Sequence, residues 1–189
     1  VKTFKGGTDV FVGLSNYIEL FHNETFLMVF KNTFIFTIGC LVVQFTIGFI
    51  FALFFSKKFT LAGPIRGMIL VGYMMPMSVT ALLGKNMFDV SSGVINDLFM
   101  KIGLINAPVE WLLNGSTAMI AIIAVNCWVG IPFNMLLLTS GLTGISTEIY
   151  ESAEVDGANP FQRFLYITLP LMKPAILSVL MLGFIYTFK

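Results

Sequence analysis

Residues 32–56 run for 25 positions without one charged side chain. A helix that crosses the hydrocarbon of a bilayer needs about 20 such residues, and in lipid every backbone N–H and C=O must find its partner inside the protein. A stretch of this kind folds as a membrane-spanning helix. Charges used as fences divide the rest of the chain in the same way. Residues 67–84 give 18 uncharged positions with Pro76 in the middle, a minimal span expected to kink there. Residues 111–147 give 37, most apolar over 118–138, with Pro132 expected to bend the helix, and 174–188 give 15 more. Spans are therefore expected near 32–56, 67–84, 117–140 and 174–189, the last cut short, and the chain reads as a fragment of a longer protein. The expected fold class is all-α, a polytopic bundle of transmembrane helices.

Composition excludes several functions. Hydrophobic residues make up 57% of the chain and charged residues 11%, with a mean hydropathy of +0.89, whereas soluble domains carry about 25% charged residues. A net charge of +1 leaves no electrostatic footprint for nucleic acid. Cys40 and Cys127 both lie in apolar runs and read as small packing residues, not a disulfide framework. His22 is the single histidine and is placed outside the membrane, so no metal site is expected. Without a histidine at depth there is no nucleophile-and-base pair either. A phosphate-binding G-x4-G-K-[ST] loop is missing, since Gly84 and Lys85 have Val79 ahead of them and Asn86 behind. The chain is not expected to bind a cofactor or ATP by itself.

The polar stretches set the orientation. Residues 56–66 carry Lys57, Lys58 and Arg66 and no acid, which puts them in the cytoplasm. Alternation then places 85–116 outside and a polar island at 146–175 inside, while 1–31 forms an external amphipathic segment.

That island has consistent local signals. Ser146 or Thr147 can cap a helix whose first turns hold Glu148 and Glu151. Gly157 suits a left-handed C-cap, and Asn159 with Pro160 suits a second helix start. This second helix is expected to end near Leu169, before Pro170. The reading is a helix, a knuckle and a second helix at a membrane surface. Arg163 is expected to pair within it, with Asp156. Glu148 and Glu154 suit either a partner's basic groups or plain solvent.

Glu151, Ala153, Gly157, Ile167, Leu169 and Pro170 stand at the spacings of E-A-A-x3-G-x9-I-x-L-P. The segment thereby resembles the EAA loop of the membrane subunits of ATP-binding cassette (ABC) importers. The fuller string, from Glu148 to Ala158 and then F-Q-R-F-x3-T-L-P, resembles the maltose and glycerol-phosphate branch, the carbohydrate permeases. Ser152 stands where that family usually has Ala, and Ser146 and Thr147 where Pro is common. Val12, Gly13, Leu14, Asn16 and Tyr17 resemble the family's VGLxNY stretch. Leu83, Gly84, Lys85 and Asn86 depart from its usual apolar-Trp-x-Trp pattern.

A second constellation, Trp128, Val129, Gly130, Ile131, Pro132 and Phe133, resembles the W-x-G-x-P-aromatic stretch ahead of the loop in this family. Aromatic faces stack on sugar rings and amides such as Asn126 and Asn134 reach hydroxyls, though helix packing around a kink accounts for the same residues. The family would also place Tyr186 and Lys189 near a central cavity.

The resemblance implies the type I ABC importer permease fold in a bacterial-type cell membrane. It implies a loop over 143–172 that couples to the ATPase through Glu151, Ala153, Asp156, Gly157, Ala158, Arg163, Ile167, Leu169 and Pro170. It implies a substrate path past Asn126, Trp128, Val129, Gly130, Phe133 and Tyr186. The partners implied are a second, similar permease, two cytoplasmic ATPase subunits that carry ATP and Mg, and an external solute-binding protein. A sugar or oligosaccharide is the expected cargo. Other small polar solutes such as glycerol phosphate or a polyamine stay open, as do a passive channel and an intramembrane enzyme.

Overall fold

The computed structural model describes residues 13–57 and 59–188, and among these all regular structure is helical. Two units divide after Phe36. In the first lie α1 (Ser15–His22), which buries no residue, and the start of α2 (Glu24–Ser56). Asn23 Oδ1 accepts from the Phe26 N–H at 3.2 Å and caps the start of α2. Phe26, Phe30 and Phe34 then follow at one-turn spacing, with ring centroids 5.8 and 4.9 Å apart. The helix begins eight residues ahead of the expected 32, because Glu24 sits in its first turn, where an acid suits the helix dipole. Residues 24–31, expected in the external segment, are thus part of α2. Residues 1–12 of that segment, Val12 of the VGLxNY stretch, Lys58 and Lys189 lie outside the described residues.

The second unit continues through α3 (Ala62–Tyr73), α4 (Met77–Met87), α5 (Val94–Lys101), α6 (Gly115–Thr143), α7 (Thr147–Val155), α8 (Pro160–Arg163) and α9 (Leu169–Phe188). Helices Glu24–Ser56, Gly115–Thr143 and Pro160–Phe188 are long and apolar enough to cross a membrane. Helices α3 and α4 reach that length only as a pair, bent by 93°. The bend expected at Pro76 within 67–84 is thus present, as a sharp break between two helices. Proline pushes the residue before it out of the helical region and has no N–H to rejoin the ladder. At Pro76, with φ −58° and ψ 138°, the chain therefore breaks and restarts.

Pro132 has the opposite outcome, since α6 runs unbroken through it. The largest departure is at Pro170. The helix expected to stop before it continues instead, by way of a π turn at Phe164–Thr168, into α9. The Leu169 N–H bonds back to the Phe164 carbonyl, five residues away. A widened turn ahead of a proline relieves the clash of its ring with the carbonyl four residues back. The fourth span therefore reaches back to Pro160, well ahead of the expected 174.

Helix α6 is the hub and packs on α3, α4 and α9. Ala52, Leu138, Leu142, Met172 and Val179 form one buried cluster, and Phe55, Ala62 and Met135 a second. Small residues let the backbones approach, as helices in lipid require. A Cβ added at Gly48 would stand 2.7 Å from Asn134 Cβ and 3.2 Å from the Met135 backbone nitrogen. Backbone does not yield cheaply. Gly48→Val is expected to cost about 1–3 kcal/mol, read as a lower thermal midpoint of the protein in detergent. Gly67→Ala, where a Cβ meets nothing within 4 Å, is expected to leave the midpoint unchanged or slightly higher.

Candidate functional site

A cavity of about 340 Å³ opens between the helices of the second unit. Gln44 reaches it from α2, Tyr73 and Met77 from the two sides of the α3–α4 break, and Asn126, Val129, Gly130, Phe133 and Asn134 from α6. Gly183, Tyr186 and Thr187 close it from α9. Gln44 lies twelve residues from the end of α2, and Asn126 eleven from the start of α6. At 1.5 Å per residue both sit about 17 Å in, near mid-membrane.

Its polar groups are held in place by one another. Gln44 Nε2 donates to Asn126 Oδ1 at 2.8 Å, across from α2 to α6. Gly130 makes room for this, because a Cβ there would overlap the Gln44 side-chain amide. Asn134 Nδ2 donates to the Gly130 carbonyl at 2.8 Å. Beside the amides stands an aromatic wall. Tyr73 stacks on Phe133 at 5.5 Å and 20°, and Tyr186 meets Phe133 edge-on at 6.4 Å and 89°. None of the described residues around the cavity is charged.

The structure thus brings together Asn126, Val129, Gly130, Phe133 and Tyr186 of the residues singled out from sequence. Trp128 is not with them. It is 62% exposed and lines two other, apolar hollows, because its position on α6 turns it away from Gly130 and Phe133. Gln44 and Tyr73 were missed. Gln44 had a usable signal, as an amide in the middle of a 25-residue uncharged run. Tyr73 had none, since its role depends on the break that follows it.

The second feature is the knuckle between α7 and α8. Ser146 caps α7 by accepting from the Glu148 N–H at 3.3 Å. Gly157 has φ +81°, a left-handed conformation that favours glycine. Gly157 N–H bonds to the Glu154 carbonyl at 3.0 Å and Ala158 N–H to that of Ala153 at 2.9 Å, the Schellman pattern of a helix end. Asn159 and Gln162 then form a reciprocal capping box with Pro160 at the first turn. Arg163 pairs with Glu154 at 2.7 Å, not with Asp156, which is exposed. The Schellman turn folds α8 back beside the last turn of α7, and this brings Glu154 to Arg163. Tyr150 and Thr168 share a hydrogen bond at 2.9 Å, and Thr168 Oγ1 reaches the Arg163 carbonyl at 3.4 Å. These two residues tie α7 to the π turn. Val155 (89%) and Phe161 (71%) stand out unpartnered beside exposed Glu151 and Gly157. Ala153, Ala158, Arg163, Ile167 and Leu169 are half-buried, and Pro170 is exposed.

At the opposite end, Asn96 organises the loop around α5. It is 2% exposed, accepts from Trp111 Nε1 at 2.7 Å and from the Val109 N–H at 3.1 Å, and donates to the Val109 carbonyl at 3.1 Å. Asp89 Oδ1 accepts from the backbone N–H and the hydroxyl of both Ser92 and Ser91. The Ser92 N–H first, then the two hydroxyls and the Ser91 N–H, lower its pKa from an ordinary 3.8 to about 2.

The described residues thus form a helical, multi-pass membrane protein with an uncharged polar cavity among its helices and a structured hairpin at one end. The model for the inner membrane component of binding-protein-dependent transport systems matches residues 44–189, and the chain belongs to that family. It is 33% identical over 172 residues to the trehalose/maltose transport system permease protein MalF of Thermococcus litoralis, covering 91% of this chain and 58% of that protein. It is 30% identical to the arabinooligosaccharides transport system permease protein AraP of Bacillus subtilis, covering 95% of this chain and 57% of that one. The chain therefore spans a little over half the length of these relatives. Among solved structures, a bacterial ABC transporter involved in the import of the acidic polysaccharide alginate superposes with a TM-score of 0.80 at 25% identity. That match covers 95% of this chain and 62% of the other. The fold is accordingly the polytopic helical bundle of ABC importer permeases.

Two outcomes are expected. Gly130→Val displaces the Gln44 amide from Asn126, so the thermal midpoint of the protein in detergent is expected to fall, by the equivalent of about 1–3 kcal/mol. For the Asp89 turn the sign follows from the lowered pKa. Its stabilisation is present above the ordinary value of 3.8 and is lost as pH falls through about 2. Trp111 fluorescence is expected to stay constant from pH 8 to 4 and to change only below about pH 3, whereas Asp89→Ala, which removes the acceptor oxygen, is expected to show the altered signal at pH 7.

Proposed function

We propose that this chain is the membrane-spanning subunit of an ATP-driven, binding-protein-dependent importer of a neutral sugar or oligosaccharide. The observation that carries this reading is the cavity. Gln44, Asn126 and Asn134 offer amide donors and acceptors, and the Tyr73, Phe133 and Tyr186 rings offer stacking faces, with no charge among them. That chemistry suits hydroxyls on a ring with apolar faces. The volume, about 340 Å³, lies within the range of small-molecule sites. The relatives named for trehalose and maltose, arabinooligosaccharides and lactose support the same solute class.

In this reading the chain performs no catalysis and holds no cofactor. Two cytoplasmic ATPase subunits bind and hydrolyse ATP with Mg, a second permease of similar fold completes the pathway, and an external solute-binding protein delivers the sugar. One neighbour in fold is an alginate transporter seen with an alginate-pentasaccharide-bound periplasmic protein, which supports the last of these partners. The membrane is the cell membrane, with 56–66 and the knuckle on its cytoplasmic side and the Asn96 loop outside.

The knuckle is the coupling element. Exposed Val155, Phe161 and Glu151 present apolar and acidic groups to a cleft on the ATPase. Beyond the knuckle, helical structure runs from Pro160 to Phe188, and the same run places Gly183, Tyr186 and Thr187 at the cavity. Closure of the ATPase dimer displaces the knuckle, the stiff run moves as a body, and the cavity changes the side to which it opens. The ATPase shifts that equilibrium only by gripping the two states with different affinity.

The test is Gly157→Asp in the full-length protein, assembled with ATPase and binding protein in liposomes. Aspartate is strained at φ +81°. Expected are insertion and basal ATP hydrolysis as in the parent, with sugar uptake and its stimulation of hydrolysis both lost. Normal uptake would refute the coupling role.

A further inference from the structure

We infer that the turn between α2 and α3 is a binding site for the phosphate of an anionic phospholipid headgroup. A cavity of about 560 Å³ opens there, lined by Phe55, Ser56, Lys57, Thr60 and Arg66, with Thr143 from the end of α6. It lies at the end of the α2 span, where hydrocarbon gives way to headgroups, and it is remote from the uncharged cavity at mid-depth. Arg66 Nη2 donates to the Phe55 carbonyl at 2.7 Å, one of the last-turn carbonyls that a helix leaves free. This anchors the guanidinium at the cavity wall. Arg66 Nε is screened from solvent, so an anion in the cavity meets the guanidinium at its outer nitrogens.

The charges agree. Lys57 and Arg66 both line the cavity, and 56–66 has no acid to neutralise them. The ion pair that the described residues do form, Arg163 with Glu154, uses neither. The N-terminal end of α3, which begins at Ala62 in the cavity wall, adds its positive dipole. A guanidinium fork suits two phosphate oxygens, and a lysine supplies a point charge. The surroundings select a lipid over a free phosphate. Phe59, Leu61, Ile65 and Met68 stand exposed beside the basic pair, where acyl chains would lie.

The test uses full-length protein stripped of lipid in detergent, with short-chain dioctanoyl phosphatidylglycerol, dioctanoyl phosphatidylcholine and inorganic phosphate as probes. Thermal midpoint is read against probe concentration. Phosphatidylglycerol is expected to raise the midpoint by several degrees, and zwitterionic phosphatidylcholine and phosphate are not. Lys57→Gln leaves the Phe55 contact intact and is expected to weaken the response about fivefold, as loss of one basic group near a membrane surface does. Arg66→Lys, which keeps the charge and removes the fork, is expected to weaken it as well. Equal responses to the two lipids, or an unchanged response in both variants, overturn the site. An equal response to inorganic phosphate overturns the lipid as its occupant. Sugar uptake is not read, so the outcome stands apart from the transport reading.

Discussion

No water stands ready in hydrocarbon to pair an exposed backbone group, so helical hydrogen bonding is the constraint on which everything else in this chain depends. Proline is where the chain strains it, and Pro76, Pro132 and Pro170 show three different outcomes. At Pro76 the helix gives way and two helices meet at 93°. At Pro132 the helix persists, which deprives the Trp128 carbonyl of its usual donor, and Gly72 of α3 packs close above that residue. At Pro170 the preceding turn widens by one residue and the helix continues. Two of these sites, the Pro76 break and the Pro132 segment, border the mid-depth cavity. Irregular backbone at membrane depth is tolerated where it lines a cavity or is buried in protein, and here it does both.

The third proline connects the cavity with the knuckle. Had the helix stopped before Pro170, the polar hairpin would be joined to the last span by a loose link, and movement of one would say little about the other. With the π turn in place, the capping box at Asn159 and the wall residues Gly183 and Tyr186 share one helical run. Tyr150 and Thr168 then brace α7 against that run. The knuckle, closed by the Schellman turn at Gly157, and the cavity wall are thus joined by continuous helical structure.

Local chemistry was legible in the sequence where it acts over a few residues. Ser146, Gly157, Asn159 and Pro160 announced the hairpin because caps and left-handed turns depend on neighbours within one turn. The long apolar runs announced helices for the same reason. What stayed hidden depends on contacts distant in sequence or on competition between nearly equal solutions. A proline in an apolar run permits a kink, a break or a widened turn, and only packing against other helices decides among them. The partner of Arg163 follows from how sharply the knuckle folds, which composition does not encode. Trp128 was grouped with its neighbours along the chain, whereas on a helix two residues separate opposite faces. Gln44 became part of the cavity only through Asn126, 82 residues away.

The most direct test of the central claim follows the cavity itself. Thr187→Cys, with Cys40, Cys127 and any cysteine outside residues 1–189 replaced by alanine, puts a reporter thiol on the cavity wall. In the reconstituted assembly a membrane-impermeant maleimide is offered from each side, with and without a non-hydrolysable ATP analogue and the binding protein. Labelling from the cytoplasmic side without nucleotide, switching to the outer side with it, is the predicted result. Labelling from the same side in both states would contradict a cavity driven by the knuckle.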